Sequence, residues 1–186
     1  MTASIEWKRR IVQLVQVKQR LADVDTQKLW EYRLPGVAAD EEQLAAVEEQ
    51  LGEPLDPSYR GYLTCGGGWP SLFQTIDLLG AADLLGSPTF EHGLQALSHL
   101  EPVALSAAGV QRDDLLPVAV SLVDLDLVVM QRRSAAEPGA VVWFAGAEVD
   151  RYPTFDDFFL AMIEYNVREI EHLSRRRDRM PASTES

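Results

Sequence analysis

No lysine occurs after Lys28 in this 186-residue chain. Without a later lysine a phosphate-binding P-loop is excluded, because that loop needs a Lys and a Ser or Thr after its glycines. Cysteine is nearly absent too. Cys65 stands alone, so no internal disulfide can form, which fits a reducing compartment. Long apolar runs are missing, and none approaches the roughly 20 residues of a membrane-spanning helix. The opening "MTASIEWKRRIVQLVQVKQR" is interrupted by charged residues and glutamines and has no apolar signal core. The expectation is a cytoplasmic protein that does not engage membrane. Internal repeats and low-complexity linkers are lacking as well, and the length suits one domain over residues 1–176 with a loose tail over 177–186.

What is present in excess is negative charge. The formal net charge is -12, and it is unevenly spread. Residues 34–170 hold 22 Asp and Glu against 6 Arg, whereas residues 1–33 hold 7 basic and 4 acidic side chains. An acidic body repels nucleic acid and anionic membrane and attracts basic partners.

Hydrophobic spacing predicts the elements. Trp7, Ile11, Leu14, Val15 and Leu21 form one stripe of a helix over residues 5–22, with Lys8, Arg9, Lys18 and Arg20 off it. "LPGVAAD" is a turn, and Asp40 caps a second helix that buries Leu44, Val47 and Leu51 and stops at Gly52. Asp56 and Pro57 open a short third helix, with Tyr59, Tyr62 and Leu63 on one face and Gly66 as its left-handed end. "SLFQTIDLL" reads as a strand, and residues 81–109 as short helices. "LLPVAVSLVDLDLVVMQ" then supplies one or two strands, "VVWFAG" another, and "EVDRYP" a short edge. Thr154, with Asp157 three residues on, opens a final helix faced by Phe155, Phe158, Phe159, Met162, Ile163, Val167 and Ile170. Helices first, strands in the middle and a closing helix make an α+β fold, a small mostly antiparallel sheet flanked by N- and C-terminal helices.

The candidate chemistry is thin. Gly66, Gly67 and Gly68 lack the G-x-G-x-x-G spacing of a dinucleotide loop and follow a helix, so they read as a structural turn. Cys65 has no local histidine signature, and a helix C-terminus disfavours a thiolate. His92 and His99, seven residues apart, would stand roughly 10 Å apart along a helix, too far to share an ion. Asp124 and Asp126 form the most enzyme-like string, "DLD", since paired acids hold Mg²⁺. Alternation with Val123, Leu125 and Leu127, or a turn, explains them more simply. The short basic patches, "SRRR" among them, lack interleaved aromatics and do not suggest nucleic-acid binding. No catalytic residue, metal site or cofactor is expected.

One arrangement stands out by order and spacing. "LPGVAADEEQLAAVEEQLGEPLDPSYRGYLTCGGG" resembles the signature segment of the SUKH superfamily, the Smi/Knr-like proteins. The family's places fall here on Pro35, Glu48, Leu51 and Gly52, Leu55, Tyr59, Leu63, and Gly66 to Gly68. Downstream, "LLPVAVS", "VVWF" around Trp143, and "TFDDFFLAMI" with Phe155 and Phe158 resemble its strands and closing helix. The similarity covers roughly residues 5 to 165. There are departures: Asp56-Pro57 replaces a Leu-Pro step, the turn Asn is missing near Thr64 and Cys65, and "VDLD" stands where a Gly-Asp step is usual.

The resemblance implies a binding role without catalysis. Its leading form is a toxin-immunity protein whose partner is a basic toxin domain. A second is a regulatory adaptor on the same fold, and a third, from the residues alone, is a metal-dependent phosphatase-like enzyme using Asp124 and Asp126. The residues expected to meet a partner are the acidic positions Glu42, Glu49, Asp124 and Asp126, together with Trp69 if it is exposed. The oligomeric state is left open.

Overall fold

A computed structural model describes residues 2–179 of the chain. Among these residues, seven α-helices surround a six-stranded antiparallel sheet. In chain order the elements are α1 (Thr2–Val24), α2 (Glu41–Leu51), α3 (Pro57–Leu63), β1 (Trp69–Phe73), β2 (Ile76–Leu78), α4 (Ala81–Leu84), α5 (Pro88–His99) and α6 (Pro102–Ala107). A 3-10 turn at Arg112–Asp114 leads into β3 (Leu115–Ser121), followed by β4 (Asp126–Gln131), β5 (Val141–Ala145), β6 (Ala147–Tyr152) and α7 (Phe155–Arg179). The fold is the expected α+β arrangement. From residue 180 on, the tail expected over 177–186 lies outside the described residues.

Strand order follows chain order, β1-β2-β3-β4-β5-β6, and every neighbour is antiparallel. Both faces of the sheet are covered. On one face α7 reaches from β6, where Phe158 packs on Tyr152, to β1, where the Asn166 amide donates to the Leu72 carbonyl at 3.0 Å. The other face carries α5, whose Gly93 lies against Pro117 and Val120. With cover on both sides, every residue of β3 is buried. That is why "LLPVAVS" reads as a continuous apolar run and not as an alternation.

The caps form as their residues dictate. The Asp40 carboxylate accepts the Gln43 N–H at 2.8 Å while the Gln43 side chain accepts the Asp40 N–H at 3.2 Å, a reciprocal pair that satisfies two orphan donors. Gly52 ends α2 at φ 71°. Asp56 accepts from Ser58 and Tyr59 with Pro57 at the first helical position. Thr154 accepts the Asp157 N–H at 3.2 Å and opens α7.

Three local expectations change, and the choice between strand face and turn for Asp124 is decided. "SLFQTIDLL" is a hairpin, β1 and β2, turned at Gln74 and Thr75 with Gln74 at φ 51°. No Gly or Pro marks that turn, so the sequence did not announce it. Gly66 is not left-handed, and none of the three consecutive glycines has positive φ; α3 closes at Thr64 instead. Asp124 lies in the hairpin loop between β3 and β4 and not on a strand, with Asp126 the first residue of β4. Lys18, read as off the apolar stripe, is 2% exposed.

Lys18 and Asn166 together close one edge of the sheet. The Lys18 ammonium donates to the Ser71 carbonyl, Asn166 donates to Leu72, and the Ser71 N–H is taken by Asp77 at 2.7 Å. Burial lowers the Lys18 pKa from 10.5 to about 8. Below pH 8 both folded and unfolded chains carry the charge, and the fold bears the cost of burying it. Between 8 and 10.5 the folded chain sheds its proton first, so this site adds stability as pH rises. Relative to Lys18→Met, the wild-type chain is expected to gain about 2 kcal/mol between pH 7 and 9.5. Urea unfolding at both pH values reads this, and a constant difference between the two proteins would show that the ammonium is not desolvated.

Candidate functional site

The three glycines bring the lead segment onto the sheet. Gly36 donates to the Gly68 carbonyl at 2.6 Å, and Gly67 returns a bond to the Gly36 carbonyl at 2.9 Å. Ala39 donates to Leu63 at 2.9 Å. The chain near Gly80 passes so close that a Cβ there would lie 2.2 Å from the Gly68 nitrogen, and a Cβ on Gly67 would lie 2.4 Å from the Val37 carbonyl oxygen. Close approach of backbones, not left-handed geometry, is what these glycines serve.

A groove of about 460 Å³ opens beside this crossing. Its walls include Leu34, Val37, Pro70 and Asp77. Val37 is 94% exposed. Burial pushes the Asp77 carboxyl above its usual range, against the Ser71 N–H bond that lowers it. Asp83, also at the groove, is engaged by the Gly80 N–H at 2.8 Å.

Other signature positions serve the frame. Pro35 precedes the Gly36 bond to Gly68. The Glu48 carboxylate accepts from the Leu55 N–H at 3.1 Å and from Arg60 at 3.2 Å, fixing the loop between α2 and α3. Tyr59 donates its hydroxyl to the Leu79 carbonyl at 2.7 Å, and burial drives its pKa well up. Phe155 and Phe158 are wholly buried. Cys65 is half-buried, with its sulfur near Ser4 and Thr64.

Trp69 must be removed from the partner-facing set. It is fully buried, donates its indole N–H to the Arg33 carbonyl at 2.9 Å and packs on Phe159. The four acidic positions fall into two groups. Glu42 and Glu49 are exposed on α2, seven residues and two turns apart. Asp124 and Asp126 lie at the β3–β4 hairpin. Arg132, just past the other end of β4, pairs with Glu53 at 2.6 Å immediately beyond α2. The length of β4, about 20 Å, therefore separates Asp126 from that end of α2.

The hairpin is a held structure. The Ser121 hydroxyl accepts the N–H groups of Val123 and Asp124 at 3.3 and 3.0 Å and donates to Thr75 at 3.0 Å. Thr75 in turn donates to the Asp124 carboxylate at 2.9 Å. Asp126 accepts the Trp143 indole N–H at 2.7 Å, and that ring packs on Phe73 and Tyr165. Three apolar side chains project from the loop: Leu122, Val123 and Leu125 are 51, 77 and 78% exposed. Leu125, with Asp124 and Asp126, also lines a cavity of about 330 Å³ that runs to His92 and His99 on α5. Sequence spacing placed those histidines on a helix but gave no sign that the helix would face the "DLD" string. Among the described residues no cluster of three or more His, Cys, Asp or Glu is placed to hold a metal ion.

The charge balance sharpens in three dimensions. Of the six arginines in residues 34–170, Arg60, Arg132, Arg151 and Arg168 are in ion pairs, and Arg112 donates to the carbonyls of Leu97 and Leu100. Glu42 and Glu49 form no ion pair among the described residues. The local cations are largely spent while the acids remain in excess.

The model of the SMI1/KNR4 family (SUKH-1) matches residues 38–161, two thirds of the chain. The protein belongs to this family. The match takes in Gly66 to Gly68 and Gly80, the whole sheet and the start of α7, while the lead residues Pro35, Gly36 and Val37 lie just before it. No match was found among curated proteins. No helix among the described residues of this SUKH-1 protein is long and apolar enough to cross a membrane.

Proposed function

We propose that this SUKH-1 protein is a non-enzymatic, cytoplasmic protein-binding domain that acts as an immunity protein, neutralising a polymorphic toxin with a basic domain. Family membership over residues 38–161 is the observation that carries the reading. The uncompensated acidic body supports a basic partner, since complementary charge steers encounter and excludes wrong partners.

Co-expression with a toxin-like product of a neighbouring gene is expected to rescue growth and to yield a stable one-to-one complex. Rescue failure together with no complex would reject the immunity role. Several weak partners and no tight one would instead mark a regulatory adaptor. Within a complex, reversing Glu42, Glu49, Asp124 and Asp126 to lysine is expected to slow association about tenfold at low salt and to flatten its salt dependence. Stopped-flow rates at two ionic strengths measure this, and unchanged rates would remove electrostatic steering from the account.

A further inference from the structure

We infer that the tip of the β3–β4 hairpin is the docking element, an exposed apolar knob that enters a basic, apolar-floored cleft of the partner protein. The inference rests on the protein-binding reading above and names the surface and the partner's chemistry. Val123 and Leu125 lie in one four-residue loop and each exposes more than three quarters of its surface. Exposed apolar residues gathered in one place and rimmed by polar groups mark interaction sites. Here the rim is Asp124 and Asp126.

The knob is also preorganised. Ser121 and Thr75 bind the loop's N–H groups and the Asp124 carboxylate, so ordering the loop costs little at the moment of binding. Asp126 is likewise held by Trp143. Charge selects the occupant. A cleft lined by Arg or Lys complements the two carboxylates, while its floor takes the valine and leucine. A second copy of this chain does not: its net charge is -12, and two tips meeting about a two-fold axis would bring like carboxylates together.

Two arms separate failure of this surface from failure of the immunity reading. In the first, the full chain is titrated with the purified, inactivated toxin-like neighbour. The double variant Val123→Ser with Leu125→Ser is expected to weaken binding about 100-fold, and Asp124→Asn with Asp126→Asn about tenfold. The amides keep acceptors for Thr75 and Trp143, and an unchanged melting temperature shows that the fold persists. Glu42→Gln with Glu49→Gln, on α2, is expected to change binding less than threefold. A complex that forms equally well with the hairpin variants overturns the knob and leaves the immunity role standing.

The second arm is independent of any toxin. A 20-residue amphipathic peptide of lysine and leucine is added to the ¹⁵N-labelled chain. Amide shifts are expected to concentrate at residues 121–127 and to vanish in Val123→Ser with Leu125→Ser. Shifts centred on the groove at Val37 and Pro70, or no shifts, overturn the proposal even if no toxin complex is found. Self-association that is abolished by the same double variant also overturns it, because the tip would then belong to a homodimer.

Discussion

Replacing Phe155 by alanine is expected to lower unfolding stability by about 4 kcal/mol. The residue starts α7 and is wholly buried. Its ring lies 4.7 Å from that of Tyr59, 5.6 Å from Tyr62, 5.8 Å from Trp7 and 5.7 Å from Phe158. One side chain thus joins α1, α3 and α7 on the face of the sheet that α7 covers. Deleting it loses the transfer energy of a large aromatic and leaves a cavity that four other rings line. Rigid rings on three helices cannot collapse into the space without moving the helices. Urea unfolding followed by circular dichroism reads the change as a lower midpoint at unchanged slope. A loss below about 1 kcal/mol would mean that the three helices are held mainly by other contacts.

Gly80→Ala is expected to cost about 3 kcal/mol or more, although its backbone conformation suits alanine. Its φ is -100°, so conformational preference is not the problem. The added methyl would stand 2.2 Å from the Gly68 nitrogen and 3.0 Å from the Gly68 Cα. Both are backbone atoms, which have no rotamer to move into. Relief requires separating the two segments, and Gly68 is itself bound to Gly36. The displacement would pass to the lead segment and to the groove it lines. Gly52→Ala is the contrast. Gly52 sits at φ 71° with nothing within 4 Å of a Cβ, so only the left-handed strain of about 1 kcal/mol applies. Equal losses at the two positions would show that the crossing has slack and that close approach is not the reason for glycine there.

Much of the fold was readable because it is local. Asp40, Asp56 with Pro57 and Thr154 with Asp157 are local signals within one helical turn, and each forms the N-cap that its residues predict. The apolar run of β3 and the stripe of α7 likewise carry their burial in their spacing, except at Val167, which is exposed. The family frame could be recognised for the same reason, since its motifs keep their order along the chain.

The candidate site was less readable. "DLD" was visible as a string, but its spacing alone could not distinguish a strand face from a hairpin loop. Pairing Val120 with Leu127 decided it: β3 ends at Ser121 and β4 begins at Asp126, leaving the four residues between them as the loop and Val123 and Leu125 in solvent. Residue type favoured the core for Trp69 without deciding it, and the lead segment, whose Arg33 carbonyl accepts the indole N–H, places it there.

By itself the sequence determined most element types, the helix N-caps, the family and the sign of the charge, all of which depend on residue identity and short spacing. Only the tertiary structure decided that Lys18 is buried at a sheet edge, that α5 faces the β3–β4 hairpin, and that the glycines exist for a backbone crossing. Those facts depend on distant segments meeting in space, as when Lys18 reaches Ser71, 53 residues on, and Gly36 reaches Gly68, 32 residues on. No local pattern records which distant segment a residue will meet, because that choice is made by the packing of the whole core.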